Sequence, residues 1–339
     1  MSQADLSDLL LTWYLKNGRT LPWRVKGGAH PNPYIVLVSE FMLQQTTVKT
    51  VIPYFHRFMK KFPTVYDLAH ADLEDVYQLW QGLGYYSRAR SLHTTAKIIV
   101  EKFSGNFPQT RTDVLKLKGI GPYTVASFLA LAFNQPETVI DGNVMRIIAR
   151  LYHLTAPLNE ITDIIRKKAT TLTSSKAPAD YASAIMDLGA TICTPKNPQC
   201  LLCPWQNYCK SQNFSDVEQI PFRMKVAKKE QTGAVFLIYN KQHEILIRKR
   251  TEKGLLSGLY EFPWSVDSFP LLNTKDTGLS ITHIFTHIKL TLKIYTLTVE
   301  QSPFADGFFV PLNKLDDYAL STLMKKVIKK TKKEPLILG

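Results

Sequence analysis

The chain has 339 residues, 45% of them hydrophobic and 21% charged, and 42 lysines and arginines against 28 aspartates and glutamates give a net charge of +14. This length allows two domains with separate cores, and no apolar run approaches the length of a membrane span, which argues against an integral membrane protein. The positive charge favours a polyanionic partner, because lysine and arginine release counterions from a phosphate backbone, although charge alone leaves open non-specific nucleic-acid binding.

The amino-terminal part is predicted to be helical, because residues 6–212 carry apolar side chains at helical spacing between glycine and proline stop signals. Within residues 33–46, Glu40 is the only acid of an apolar helical stretch. Burial there would raise the pKa of Glu40 and keep it protonated, as a general acid requires. A buried structural acid paired with an arginine is the alternative.

Residues 117–126 have the pattern of a helix-hairpin-helix, in which Gly119 and Gly121 bracket a tight turn. Glycines let the backbone approach a phosphate closely, and Pro122 suits the first position of the following helix. The helix N-terminus adds partial positive charge directed at the same phosphate. The turn alone leaves open a plain connection between two helices.

Asp141 stands just before an amphipathic helical segment. A helix N-terminus favours the ionised carboxylate, as a charge stabiliser or nucleophile requires, while an ordinary N-cap is the simpler interpretation. Hydrolysis of a glycosidic bond needs a general acid that protonates the leaving group and a carboxylate that stabilises the positive charge developing on the sugar. Glu40 and Asp141 form a candidate pair for these two roles.

All four cysteines, Cys193, Cys200, Cys203 and Cys209, fall in one stretch with the spacing C-x6-C-x2-C-x5-C. Four thiolates from one loop suit an iron–sulfur cubane or a tetrahedral metal site. Structural zinc and paired disulfides are the alternatives, but zinc sites usually separate two knuckles by a longer insert, and the N-terminus does not resemble a secretory signal. We therefore expect a [4Fe–4S] cluster.

The carboxyl-terminal part is expected to mix helices and strands. Residues 214–230 are polar and basic and are predicted to form a linker. Alternating side chains predict strands at residues 233–239 and 244–250, with further strand-like runs within 283–298. A helix is predicted at residues 315–330, with its lysines on a solvated face.

In this order the motifs resemble the MutY family of adenine DNA glycosylases over nearly the whole chain. The resemblance is carried by Pro22-Trp23-Arg24, by Ser39-Glu40-x-Met42-Leu43-Gln44-Gln45-Thr46, by Gly82-Leu83-Gly84-Tyr85-Tyr86-Ser87-Arg88-x-Arg90 and by Asp141-Gly142-Asn143-Val144. It implies a multidomain protein with three parts. They are an all-α helix-hairpin-helix glycosylase at 1–213 with the [4Fe–4S] loop at 193–209, a linker at 214–230, and a C-terminal α/β Nudix-like domain at 231–339.

The resemblance also implies excision of adenine mispaired with 8-oxoguanine or guanine, after the base is flipped out of duplex DNA. Glu40 would protonate adenine N7, Asp141 would stabilise the oxocarbenium ion, and Tyr123 and Asn143 would hydrogen-bond around these acids. The helical-domain residues expected to contact DNA or a base are Arg24, Leu43, Gln45, Thr46, Tyr85, Gly119, Gly121 and Ser183. Ser183 departs from the Glu or Gln with which the family reads the adenine edge.

In the C-terminal part, residues 254–263 resemble the start of the family's Nudix-like domain, but the pyrophosphatase box is missing after them. Recognition is therefore expected in place of nucleotide hydrolysis. Phe285, Thr286 and His287 match the loop that inspects 8-oxoguanine, with Thr286 where serine is commoner. A strand with incidental histidines is the alternative.

Two other functions remain as alternatives. One is an endonuclease III-like pyrimidine or mismatch glycosylase with lyase activity. Those relatives carry a Schiff-base lysine at the position of Tyr123, so a monofunctional hydrolase is expected here. The other is a non-catalytic DNA-binding iron–sulfur protein. The protein is expected to act as a monomer on DNA, in the cytoplasm with the nucleoid, and away from membranes.

Overall fold

The computed structural model describes residues 3–25, 31–222, 227–252, 254–266 and 273–333. The chain divides into two compact units, Met1–His70 with Ser91–Lys225, and Ala71–Arg90 with Val226–Gly339. Residues 223–226 of the predicted linker lie outside the described residues. Within the described ranges, no helix combines the length and apolarity that crossing a membrane requires.

The first unit is built from helices, as the spacing of apolar residues predicted. The helices before the cysteine loop are α1 (Gln3–Asn17), α2 (Pro33–Leu43), α3 (Val48–Lys61), α4 (Val65–His70), α5 (Leu73–Trp80), α6 (Ser87–Phe103), α7 (Arg111–Leu115), α8 (Pro122–Phe133), α9 (Gly142–Leu151), α10 (Leu158–Leu172) and α11 (Pro178–Thr191). Of these, α5 and the first turn of α6 belong to the second unit.

Helices α2, α8 and α11 are mostly buried, because most of their side chains are apolar. Each starts with a proline in its first turn, where the missing N–H costs nothing. Helix α8 packs against both α2 and α11, and α11 also packs against α1 and α9. The side chains of three buried helices therefore converge.

The cysteine loop packs onto the hydrophobic core formed by α1, α9, α10 and α11. Its Trp205 is only 1% exposed. The Trp205 indole N–H donates to the Leu6 carbonyl at 2.8 Å, which attaches the loop to α1.

The second unit contains a mixed sheet closed on one side by a helix. Its elements are β1 (Lys229–Tyr239), β2 (Ile245–Lys249), β3 (Tyr260–Glu261), β4 (Trp264–Ser265), β5 (Lys275–Ile284), β6 (Ile288–Thr298), β7 (Gly307–Val310), a 3-10 helix (Leu312–Asp317) and α12 (Thr322–Lys333). The strand order is β3-β2-β1-β6-β5, with β4 paired to β1 and β7 to β2. Strands β1 and β6 are parallel, and the other pairs are antiparallel.

The predicted boundaries in this unit need three corrections. Strand β1 begins at Lys229, inside the predicted linker, because it pairs in parallel with β6 from its first residue. Strand β5 begins at Lys275, before the run 283–298 in which strands were predicted, because it pairs antiparallel with β6. Helix α12 starts at Thr322, later than predicted, because the Ser321 hydroxyl accepts the Met324 N–H at 3.3 Å and caps the helix there. The domain limits 1–213, 214–230 and 231–339 stay a prediction.

Residues 71–90 group with the second unit through bonds that no sequence pattern predicts. The Gln78 side-chain amide donates to the Asp317 carbonyl at 2.9 Å. The Gln81 amide donates to the carbonyls of Tyr318 and Leu320, both at 3.2 Å. Because the acceptors are backbone carbonyls, the side chains of the acceptor residues do not indicate these hydrogen bonds.

Candidate active site and cysteine loop

A cavity of about 520 Å³ opens where α2, α8, α9 and α11 converge, and both predicted acids line it. The predicted site residues on its walls are Arg24, Glu40, Leu43, Thr46, Tyr123, Asp141, Asn143 and Ser183. Residues separated by as many as 159 positions of the printed sequence, from Arg24 to Ser183, are therefore gathered in one place.

Glu40 lies on α2 with 5% of its surface exposed. Burial raises the pKa of its carboxyl to about 7, an effect to which the nearby Asp141 carboxylate adds and which Ser127 and Arg24 partly offset. A substantial fraction of Glu40 is therefore protonated at neutral pH. The side chain has the proton affinity that a general acid needs.

Asp141 is the N-cap of α9, as its position in the sequence predicted. Its Oδ1 accepts the backbone N–H groups of Asn143 at 2.9 Å and Val144 at 2.7 Å, and its Oδ2 accepts the Asn143 side-chain amide at 2.9 Å. Three N–H donors and a helix N-terminus stabilise a carboxylate. The two acids of the cavity therefore have contrasting surroundings.

Tyr123 stays neutral at physiological pH. Burial raises the pKa of its hydroxyl well above the ordinary value, and the charges of Glu40 and Asp141 raise it further. The hydroxyl points at the sulfur of Met186, at 3.6 Å. A neutral phenol at this wall can donate a hydrogen bond, but it has no amine with which to form a Schiff base.

Arg24 is held at the cavity wall by a buried carboxylate that the sequence analysis missed. Its guanidinium donates to Asp187 Oδ1 at 2.8 Å, and the Arg19 side chain donates to the same oxygen at 2.7 Å. Asp187 is fully buried. Asp187 lies one helical turn after Ser183 on α11, so the two residues share a helix face. This shared face is the signal in the sequence that could have placed Asp187 near the site.

The last residue of α2 and the turn that follows it contain three of the predicted DNA contacts. The Thr46 N–H bonds the Leu43 carbonyl at 3.2 Å, which closes a turn with Gln45 at its tip. Gln45 has a φ of 57° and is exposed. Two of the three predicted contacts, Leu43 and Thr46, therefore line the cavity, and the third, Gln45, is outside its lining.

The predicted hairpin joins α7 to α8. Gly119 has a φ of +77°, and a Cβ added there would lie 2.5 Å from the Cβ of Ser91, so only glycine fits. Gly121 is the N-cap of α8 in an extended conformation, and a Cβ there would meet open space. The N-terminus of α8 is therefore accessible on the side of Gly121.

The predicted inspection loop is the tip of the β5–β6 hairpin. The Phe285 N–H donates to the Ile288 carbonyl at 2.8 Å, which leaves Thr286 and His287 exposed at the turn. The Thr286 hydroxyl lies 2.5 Å from the hydroxyl of Tyr85, which belongs to the same unit. Two residues predicted to contact DNA from distant parts of the sequence are therefore hydrogen-bonded to each other.

The four cysteines line one cavity and are free thiols. Cys203 and Cys209 each receive a backbone N–H, from Trp205 and Ser211 respectively. Burial, together with the neighbouring cysteines, raises the pKa of the Cys203 thiol to about 12. Thiolates in such a place need a cationic centre, and N–H donors to sulfur are typical of iron–sulfur sites, so the loop fits a cluster.

Arg146 connects the cysteine loop to the acid at the N-terminus of α9. Its guanidinium donates to the Cys193 carbonyl at 2.9 Å, to the Gly189 carbonyl at 2.8 Å and to Asn143 Oδ1 at 2.9 Å. Asn143 in turn donates to Asp141. A chain of hydrogen bonds therefore runs from the cysteine loop through Arg146 and Asn143 to the Asp141 carboxylate.

Comparisons with known proteins agree with this architecture. Residues 38–170 match the HhH-GPD superfamily of base excision DNA repair proteins, residues 193–209 the iron–sulfur binding domain of endonuclease III, and residues 234–330 a NUDIX domain. The chain is 36% identical over 342 residues to the adenine DNA glycosylase of Buchnera aphidicola subsp. Baizongia pistaciae, with 96% of both proteins covered.

Two further similarities extend this result. The adenine DNA glycosylase of Rattus norvegicus is 34% identical over 409 residues, covering 96% of this chain and 79% of that protein. Among solved structures, a thermostable thymine-DNA glycosylase matches with a TM-score of 0.55 and 26% identity, covering 62% of this chain and 96% of the other.

Proposed function

The chain belongs to the adenine DNA glycosylase family, and on that premise we propose that it hydrolyses the N-glycosidic bond of adenine mispaired with 8-oxoguanine or guanine in duplex DNA. One observation carries the proposal. A buried carboxyl whose pKa is raised to about 7 and a carboxylate held by N–H donors line the same cavity. These are the two groups that departure of a purine from deoxyribose requires.

In the proposed reaction, adenine is flipped into the cavity and Glu40 transfers its proton to N7. The electron pair of the C1′–N9 bond leaves with the base, and positive charge develops on the sugar. Asp141 stabilises this oxocarbenium ion, with transient covalent capture at C1′ as one route. Water then adds at C1′ and passes a proton to the Glu40 carboxylate, which restores the acid and leaves an abasic site and free adenine.

Tyr123 and Asn143 would support the acids and not react themselves. Asn143 orients the Asp141 carboxylate through its amide. Tyr123 offers a neutral hydroxyl near both acids and has no amine for imine formation. The absence of an amine at this position favours hydrolysis without strand cleavage. Arg24 and Ser183 would contact the flipped base.

The opposite base would be inspected by the loop of Phe285, Thr286 and His287. Thr286 presents a hydroxyl and His287 an imidazole from an exposed turn, and both groups can hydrogen-bond a purine edge. Tyr85, already bonded to Thr286, would be part of the same contact. Leu43, Gln45 and Thr46 would fill the space left by the flipped adenine.

The remaining contacts would grip the backbone. Gly119 and Gly121 would let the N-terminus of α8 approach a phosphate. Cys193, Cys200, Cys203 and Cys209 would hold the [4Fe–4S] cluster, which cross-links the loop when bound. We propose that the protein works as a monomer in the cytoplasm, on nucleoid DNA.

The test is release of the base from matched duplexes under single turnover. Duplexes with adenine opposite 8-oxoguanine, guanine and thymine would be treated with the protein, with and without alkali before separation of the strands. We expect release of adenine opposite 8-oxoguanine and guanine, slow release opposite thymine, and strand scission only after alkali.

Other outcomes of the same assay identify the alternatives. Scission without alkali, with a covalent adduct trapped by borohydride, would show an endonuclease III-like lyase. Binding of duplex DNA without release of any base would show a non-catalytic protein. A Thr286→Ala variant tests the inspection loop, because it should reduce the preference for 8-oxoguanine over guanine while the rate opposite guanine is retained.

A further inference from the structure

Ser127 is a fully buried polar residue beside the catalytic cavity that the proposed reaction does not yet use. It lies on α8, four residues and one helical turn after Tyr123, with 0% of its surface exposed. Within the described residues its hydroxyl makes no well-aligned hydrogen bond. A serine inside a helix usually bonds the carbonyl four residues earlier, and an unsatisfied buried hydroxyl destabilises the fold.

The hydroxyl is nevertheless close to two groups of the site. It interacts with the carboxyl of Glu40 and with the hydroxyl of Tyr123, and it favours the ionised form of each. Helices α2 and α8, which carry Glu40 and Ser127, pack directly against each other. A hydroxyl rotates freely about its C–O bond, so a small adjustment aligns it with either neighbour.

We propose that Ser127 is a positioning residue, whose hydroxyl turns to donate a hydrogen bond to the Glu40 carboxylate as that group gives its proton to adenine N7. The inference rests on the proposed function. The transferred proton goes from Glu40 to the base, and Ser127 keeps its own proton throughout. No covalent bond to Ser127 forms or breaks.

The physical reason is a difference between the two states of the acid. A hydrogen bond to a carboxylate is roughly twice as strong as one between neutral groups. Ser127 therefore stabilises Glu40 more after proton transfer than before it, and an interaction that strengthens toward the transition state raises the rate. Without this donor, a carboxylate buried in an apolar helix would be left poorly solvated.

Other groups also act on Glu40, and they would remain in place in a Ser127 variant. Arg24 lowers the pKa of Glu40 and Asp141 raises it, while Tyr123 faces it with a neutral hydroxyl. The other charged residues that line the cavity are Arg19, Lys49 and Asp180. Because none of these changes, Ser127→Ala isolates the effect of one uncharged donor.

The experiment compares wild-type and Ser127→Ala holoenzyme in single-turnover release of adenine opposite 8-oxoguanine, over a pH series on both sides of the Glu40 pKa of about 7. Activity needs protonated Glu40, so the rate falls as pH rises through that pKa. Loss of the donor raises the pKa and moves this alkaline limb upward by about one pH unit, while the rate on the acid side falls about three- to tenfold. Affinity for DNA should not change.

Two further variants make the result specific. Ser127→Thr keeps a hydroxyl at the same place and should restore the wild-type pH profile. Ser7→Ala removes another buried serine hydroxyl without a hydrogen-bond partner among the described residues, on α1 and outside the cavity lining, and should leave both rate and limb unchanged.

The inference is overturned if the alkaline limb of Ser127→Ala coincides with that of the wild type, whether the rate is unchanged or lower at every pH. A uniform loss would mean that the serine only supports packing. Failure of the proposed function gives a different result, because the wild type would then release no adenine or would match Glu40→Gln.

Discussion

Replacing Glu40 by glutamine should slow the release of adenine and, at neutral pH, make the folded protein more stable. The substitution keeps the size of the side chain and removes its proton and its charge. Positioned general acids contribute about 10²- to 10⁴-fold to a rate, so release of adenine should fall by about that factor. The wild-type rate should fall as pH rises through about 7, whereas the residual rate of the variant should lack this limb.

The same burial has a cost in stability that can be estimated. The pKa of Glu40 rises from an ordinary value of 4.5 to about 7 in the folded chain, so the folded state binds the proton more tightly than the unfolded state. The resulting stabilisation is complete below 4.5 and is lost as pH rises through about 7. At 1.36 kcal/mol per pH unit, the loss is about 3 kcal/mol.

Glu40→Gln has no such titration. The free energy of unfolding of the variant, minus that of the wild type, should therefore rise by about 3 kcal/mol as the pH goes from about 4 to about 8. The measurement is urea unfolding of both proteins across that range, alongside the single-turnover rates. Equal pH dependence of stability in the two proteins, or a variant rate within about threefold of wild type, would contradict the role given to Glu40.

Three further perturbations follow from the geometry. Asp141→Asn should keep the N-cap, because asparagine caps as well as aspartate, so the free energy of unfolding should change by less than about 1 kcal/mol. Release of adenine should nevertheless fall at least about 100-fold. Thermal melting measures the first effect and single-turnover assays the second. Cys203→Ser should remove one cluster ligand, seen as lost visible absorbance and iron content, with weaker DNA binding. Gly119→Ala should lower stability by about 1–3 kcal/mol and weaken DNA binding, because its Cβ would meet Ser91. Gly121→Ala is the control and should leave stability nearly unchanged. Thermal melts and duplex titrations of both variants test this expectation.

Local pattern was sufficient for the features that depend on neighbours along the chain. An acid alone in an apolar stretch predicted the burial of Glu40, and a carboxylate before an amphipathic segment predicted the cap formed by Asp141. The glycines and proline of the hairpin predicted the turn at Gly119. The Asp141 cap closes on Asn143 and Val144, within one helical turn. For Glu40 and Gly119 the spacing of apolar residues and glycines was local, although the contacts that surround these residues are not.

Features that depend on contacts between distant segments were not predictable in the same way. Asp187 holds Arg19 and Arg24, which are more than 160 positions earlier in the printed sequence, and nothing near any of them indicates this pairing. In the sequence Ser127 is an ordinary helix residue, and its position near Glu40 follows from the packing of α2 against α8. Residues 71–90 are joined to the rest of the second unit partly by bonds to backbone carbonyls, which residue type does not reveal.

Residue types and their spacing were enough to indicate the family, the cysteine loop, two candidate acids and the mixed composition of the second unit, because these signals are local. Three-dimensional packing was needed to show which side chains share a cavity, which carboxylate holds Arg19 and Arg24, and where the strands of the second unit begin. Those outcomes depend on the packing of helices and on pairing between strands, and both are set by the whole set of contacts and not by any single segment.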